Sequence, residues 1–183
     1  VLGFTFSLAA SRFDARRMAV LEEANAIGTT YLRARLLPEP ERDEVARLLR
    51  EYVAARVEGS RQREPDAALR KAEALHELLW RQAGSAAEKT PSSVMLGIFI
   101  QSLNEVIDLH SKRILVGLRS RIPFVIWLGL FGLSMLGMVA VGYQCGLSAT
   151  QRSPAMLGFI LAFTVVLYLI ADLDRGREGL LRV

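Results

Sequence analysis

The chain has 183 residues, a formal net charge of +4 and a hydrophobic content of 51%. Its one cysteine, Cys145, excludes an intrachain disulfide and a CxxC metal or redox site, and two histidines, His76 and His110, are too few for a His-rich metal centre. The 23 basic residues are interspersed with 19 acidic ones along helical stretches and form no single-sign block, so the positive balance does not point to nucleic acid.

The first stretch, "VLGFTFSLAA", carries no charge and runs into Arg12, Asp14, Arg16 and Arg17. A secretory signal has its basic residues before the apolar run. Here they follow it, which is the polarity of the cytoplasmic end of a membrane helix. Val1–Ala10 is too short to span a bilayer, so residues 1–13 are expected to be the inner part of a truncated transmembrane helix whose outer part precedes Val1. No helix breaker follows Ala10. A single helix is therefore predicted to run from the membrane into the cytoplasm and to end near Leu36, about 36 residues and 54 Å at the standard rise. Gly28 is tolerable within it at some cost.

At 100° per residue, Ser7, Ser11, Asp14, Met18, Glu22, Asn25 and Thr29 fall within about 40° of one line, with Phe4 near the same phase. Leu2, Ala9, Phe13, Val20, Ile27 and Tyr31 lie roughly opposite. Small hydroxyl residues on one face of a membrane segment mean either helix contact or a water-lined path. The pattern alone leaves both open.

The polar middle, residues 14–121, reads as a cytoplasmic helical domain. Ala, Leu, Glu and Arg dominate and no β-type alternation occurs. Breaks at "LLPEPERDE", "EGSRQREPD" and "AGSAAEKTPSS" divide it into helices predicted at Pro40–Val57, Pro65–Gln82 and Pro91–Leu118, with Asp66 and Thr90 at start signals. Each has an apolar stripe: Val45, Leu48, Leu49, Tyr52 and Val53; Leu69, Leu75, Leu78 and Leu79; Met95, Ile98, Phe99, Leu103, Val106 and Ile107. His110 sits beside the last stripe and is expected to be a packed or interface histidine, not a ligand.

Ile122–Tyr143 is uncharged throughout and about 33 Å long at the standard rise, enough to cross the hydrocarbon core. Pro123 suits its first turn, and Trp127 and Tyr143 lie near its ends, where interfacial aromatics are expected. Pro154–Ala171 is a second uncharged span, with Ser153 placed to cap it. The short connector, residues 144–153, makes the two an antiparallel hairpin. Lys112, Arg113, Arg119 and Arg121 precede the hairpin, and Arg175, Arg177 and Arg182 follow it, whereas the connector has only Arg152. The connector is therefore expected outside, with the middle and the tail, residues 172–183, in the cytoplasm. A first helix ending inside makes the crossings odd in number, so the native N-terminus is expected outside or behind another helix. Gly129, Gly132, Ser134, Gly137 and Ala140 offer close-approach surfaces, and the few helices available to enclose a path point to oligomerisation.

Catalysis is not expected. There is no glycine-rich phosphate loop after a strand, no HExxH and no Ser-His-Asp set to assemble from two histidines on different helices. Glu22 and Glu23 are neighbours about 100° apart on a helix and form no inward pair. No cofactor and no metal site are expected.

The stretches "GFTFS", "RFDARR" and "EANAIGTTYLRARLLPEPER", the basic segment before "IPFVIW", and the terminal "LDRGREGLLRV" resemble the bacterial bestrophin-like integral membrane proteins of unknown function. More distantly they resemble the bestrophin anion channels. The match covers nearly the entire chain. The resemblance implies an all-α integral membrane protein of the bacterial inner membrane. A complete member has about four membrane helices, with the large cytoplasmic loop between the second and third, and this chain would lack the first and most of the second. It further implies a homo-oligomer, with the pentamer of bestrophins as the precedent. Val1–Phe13 would match the neck helix, with Phe4 and Phe6 as constriction candidates of which only one shares the polar-stripe phase. Asp172 and Asp174 are too few to stand for a calcium clasp.

The expected function is an oligomeric bestrophin-like ion channel or channel-like protein in the lipid bilayer. A small inorganic ion would pass along a central axis lined by Phe4, Ser7, Ser11, Asp14, Glu22, Asn25 and Thr29 of the first helix. Arg12, Arg16 and Arg17 at the inner mouth would favour anions, and Asp14 and Glu22 cations, so the sequence does not settle the sign. The alternative is a membrane-anchored scaffold whose cytoplasmic helices bind a protein partner.

Overall fold

A computed structural model describes residues 2–61, 65–118, 122–147 and 154–175. These form six helices and, among the described residues, no strand: α1 (Leu2–Ala34), α2 (Glu41–Arg61), α3 (Pro65–Lys89), α4 (Val94–Leu118), α5 (Phe124–Leu147) and α6 (Pro154–Arg175). Arg119, Arg121, Arg152, Ser153, Arg177 and Arg182, used above to orient and cap the hairpin, lie outside the described residues. The chain divides into two compact units, one of Val1–Met18 with Ile114–Val183 and the other of Ala19–Arg113.

In the Ala19–Arg113 unit, α1 ends where Leu36 and Leu37 bond back three residues to the Arg33 and Ala34 carbonyls, at 2.9 and 3.1 Å. This tightening satisfies terminal carbonyls and stops the helix two residues before the expected Leu36. The first turn of α2 holds Glu41, Asp43 and Glu44, favourably placed at the positive end of the helix dipole. α2 runs past the expected Val57 through Gly59, whose missing side chain matters. A Cβ there would lie 2.5 Å from the Cβ of Ala68, so glycine permits α2 and α3 to meet closely. α3 likewise continues past the expected Gln82 to Lys89. Ala83 and Ala86 are buried, which outweighs the cost of about 1 kcal/mol for Gly84 inside a helix.

α4 starts at Val94, not at Pro91. Ser93 is the cap, its Oγ accepting from the Leu96 amide at 3.3 Å, and the Thr90 hydroxyl turns back to the Ala86 carbonyl at the end of α3. The core is Val45, Leu48, Leu49, Tyr52, Leu75, Leu79, Phe99, Leu103 and Val106, with Ala26 and Ala34 of α1. Val53 and Met95, expected on the apolar stripes, are exposed at their edges. α1 docks on α4 by polar bonds as well. The Thr30 hydroxyl reaches the Ser102 carbonyl at 3.0 Å, and Arg33 reaches the Ile98 carbonyl at 3.1 Å.

In the other unit, Ala9, Ile122, Leu130, Ile170 and Leu173 form a small apolar cluster with Leu2, Phe13, Ile126 and Trp127 around it. The Ile122 amide donates to the Asp174 carboxylate at 2.9 Å, so the start of α5 lies beside the end of α6, as an antiparallel pair requires. Two stretches are long and apolar enough to cross a membrane: Phe124–Gln144 and Leu157–Asp174. Only 11% and 17% of them are buried, whereas the core helix of a soluble protein would be mostly covered. Two of their hydroxyls are satisfied within the helix, Ser134 by Leu130 O at 2.7 Å and Thr164 by Ile160 O at 2.9 Å, an arrangement compatible with a water-free surrounding.

Candidate functional site

α1 carries two sets of polar residues on different faces. The outward face holds the residues selected from the sequence. In the first unit, Phe4, Ser7, Ser11 and Asp14 are exposed; in the second, Asn25 and Thr29 are exposed and Glu22 is partly so. Glu22 pairs with Lys112 of α4, Oε2 to Nζ 2.7 Å. Phe6 is turned away from that line. With Leu2, Gly3, Ala162, Phe163, Val166 and Leu169 it lines an apolar groove of about 420 Å³.

The three arginines separate. Arg17 is exposed, whereas Arg16 is buried and donates to the Leu173 carbonyl at the end of α6, next to the Asp174 charge. Arg12 is half-buried, and its Nη1 is enclosed without a hydrogen-bond partner.

The inward face of α1 is made of small residues: Ala19, Ala26, Thr30 and Ala34, with one carboxylate, Glu23, among them. Glu23 is 1% exposed, yet four groups from two other helices converge on it. The Tyr52 hydroxyl donates to Oε1 at 2.6 Å. Arg56 donates to both oxygens, at 3.0 and 3.2 Å, and Arg113 donates to Oε2. His110 lies behind, with Nδ1 3.1 Å from the tyrosine oxygen and 3.9 Å from Oε1.

His76 of α3 completes the cluster. Its ring is 4.9 Å from that of Tyr52 and 4.8 Å, edge to face, from that of His110. Burial alone would push the Glu23 carboxyl up. The His110 ring, the Tyr52 hydroxyl and the two guanidiniums outweigh it and hold the group well below the usual carboxylate range. Burial and the charge of Glu23 push the Tyr52 phenol up. Burial, then the neighbouring His110, pushes His76 down to about 4.

Sequence reading set Glu23 aside because its neighbour Glu22 was no partner. The signal available was its phase: Glu23 continues the i, i+3, i+7 series of Ala19, Ala26 and Thr30, where a charge is out of place unless paired. His110 is packed in the bundle. Among the described residues, no three His, Cys, Asp or Glu side chains could hold a metal ion together.

The fold and this arrangement define a class: a protein helical throughout its described residues, with a compact helical unit that holds a buried ionic centre and two helices long and apolar enough to cross a membrane. The Bestrophin-like domain model matches residues 1–183, the entire chain, and the protein belongs to that family. Comparison with the curated proteins and with the solved structures finds no match.

Proposed function

We propose that the protein is a homo-oligomeric, channel-like membrane protein, with several copies of α1 around a central path for a small inorganic ion. The observation that carries this reading is the division of α1 into two faces. The face of Ala19, Glu23, Ala26, Thr30 and Ala34 is consumed within its unit. The face of Phe4, Ser7, Ser11, Asp14, Asn25 and Thr29 stays open, together with the large apolar Met18, Leu21 and Leu32. Hydroxyls and amides suit a wet path, apolar neighbours suit contact with another copy, and Phe4 suits a dewetting constriction. Membership of the Bestrophin-like family supports the same reading.

In this proposal the protein is a multi-pass protein of the bacterial inner membrane, with the Ala19–Arg113 unit in the cytoplasm and no catalytic role. Arg17 and Asp14 are the exposed charges near the inner mouth, of opposite sign. Single-channel recording on the reconstituted full-length protein tests it. Conduction that is blocked or strongly reduced in Ser11→Phe supports the reading. Absence of conductance, with wild type and Ser11→Phe indistinguishable, refutes it.

A further inference from the structure

The buried cluster of Glu23, Tyr52, Arg56, His76, His110 and Arg113 joins α1, α2, α3 and α4, and the channel reading makes no use of it. Its proton arrangement can be worked out. Tyr52 has a single hydroxyl hydrogen, directed at the Glu23 carboxylate, which can only accept. At the 3.1 Å contact with His110 the tyrosine oxygen must therefore accept, and His110 Nδ1 donates. In the neutral ring the His110 Nε2 is then a bare lone pair, and it is buried with no partner. The His76 Nε2 is also buried with no partner.

A proton added to either ring puts a charge where no acceptor awaits its N–H. An unmade hydrogen bond to a buried charged group carries the full desolvation penalty. The surroundings add to this. His76 is faced by Glu23 from α1, Tyr52 and Arg56 from α2, and His110 from α4, with Arg113 of α4 bound to the same Glu23 carboxylate. The one carboxylate is already shared by two guanidiniums, so the cluster carries excess positive charge before either histidine titrates.

We propose that this cluster is an acid-sensitive latch: with the His76 imidazole neutral it fastens α1 to the other three helices, and proton uptake by His76 releases α1. The effector is the proton itself. The latch holds in the helical unit whether or not the protein conducts, and its test reads helix opening, not current.

The test is amide hydrogen exchange, read by mass spectrometry on the full chain in detergent micelles between pH 7.5 and 4.5. Rates for residues 19–34 are corrected for the intrinsic pH dependence of exchange. If each opening takes up one proton, the opening equilibrium rises about tenfold per pH unit below about pH 6.5. His76→Phe keeps a ring against Tyr52 and cannot take the proton, so its opening changes less than twofold over the same range. A wild-type slope in His76→Phe, or a flat profile in the wild type, overturns the latch. Deuteration at the imidazole C2 position of His76 in the wild type reads its titration directly and needs no variant. A His76 titration held below the ordinary 6.5, while opening of α1 already rises below that pH, supports the latch, and a His76 titration at or above 6.5 overturns it.

Discussion

Replacing Glu23 with glutamine keeps nearly the same volume and removes one charge, so it isolates the electrostatics of the buried centre. The carboxylate accepts one bond from Tyr52, two from Arg56 and one from Arg113. The amide offers one oxygen, and its NH2 group confronts a guanidinium. Two cations are left facing each other without a counter-charge. Removing one partner from a buried pair costs about 3–5 kcal/mol. Arg56 and Arg113 retain 17% and 25% side-chain exposure, which lets water relieve part of the charge and places the loss toward the lower end. With roughly 4–8 °C per kcal/mol for a small domain, a loss of about 3 kcal/mol lowers Tm by roughly 12–24 °C. Glu22→Gln is the internal control, because the Glu22–Lys112 pair is 38% and 54% exposed and such pairs contribute under about 1 kcal/mol. The assay is urea unfolding of each full-length variant in detergent, followed by exchange protection of residues 19–113. If Glu23→Gln falls within about 1 kcal/mol of Glu22→Gln, the ionic centre does not hold the bundle, and the reasoning fails.

Three further outcomes can be checked with the same material. Gly59→Ala, which would raise helix propensity by up to about 1 kcal/mol at an open site, instead destabilises by about 1–3 kcal/mol, because the new Cβ meets Ala68; thermal unfolding gives the sign. Ser93→Ala removes the cap of α4 and costs about 1 kcal/mol, read as a lower urea midpoint at unchanged slope. The unfolded chain binds more protons than the folded one between the ordinary histidine value of 6.5 and the value of about 4 held by His76 in the fold. Stability from the neutral ring is therefore complete above about pH 6.5 and falls on acidification toward pH 4, by about 3 kcal/mol in all. Below the ordinary glutamate value of 4.5, the depressed Glu23 carboxyl adds a second acid loss. Urea midpoints at pH 7.5, 6 and 5 that do not decline would contradict the histidine assignment.

What the sequence exposes and what it hides follow from the range of the forces involved. The spans Phe124–Gln144 and Leu157–Asp174, the second charged only at Asp172 and Asp174 near its end, announce themselves because keeping charge out of a stretch of roughly 20 residues is a local property. The three stripes of the middle helices are local too, and Leu48, Leu49, Leu79, Phe99 and Leu103 are all core. Helix ends are less legible, since Ala83 and Ala86 are held helical by burial against other elements, which neither Gly84 nor Pro91 reveals. The ionic centre is hidden for the same reason in stronger form. The partners of Glu23 stand 29, 33 and 90 positions away, and no window of sequence contains them.

α1 itself shows how tertiary context overrides amphipathic expectation. The line of Leu2, Phe13, Val20, Ile27 and Tyr31, apolar and opposite the polar stripe, is only half-buried. The fully buried line is rotated from it and consists of Thr5, Ala9, Arg16, Ala19, Glu23, Ala26, Thr30 and Ala34. Small side chains win that position because they let the α1 backbone come close enough for Thr30 to bond the Ser102 carbonyl and for Glu23 to reach two helices. Larger residues there would give more apolar area but hold the helices apart and leave the carboxylate without its cations. The consequence is that Met18, Leu21 and Leu32 are displaced to the outside, beside Asn25 and Thr29. The outward face of α1 therefore mixes large apolar and small polar groups. The mixed outward face is one result of burying alanine in place of leucine along α1.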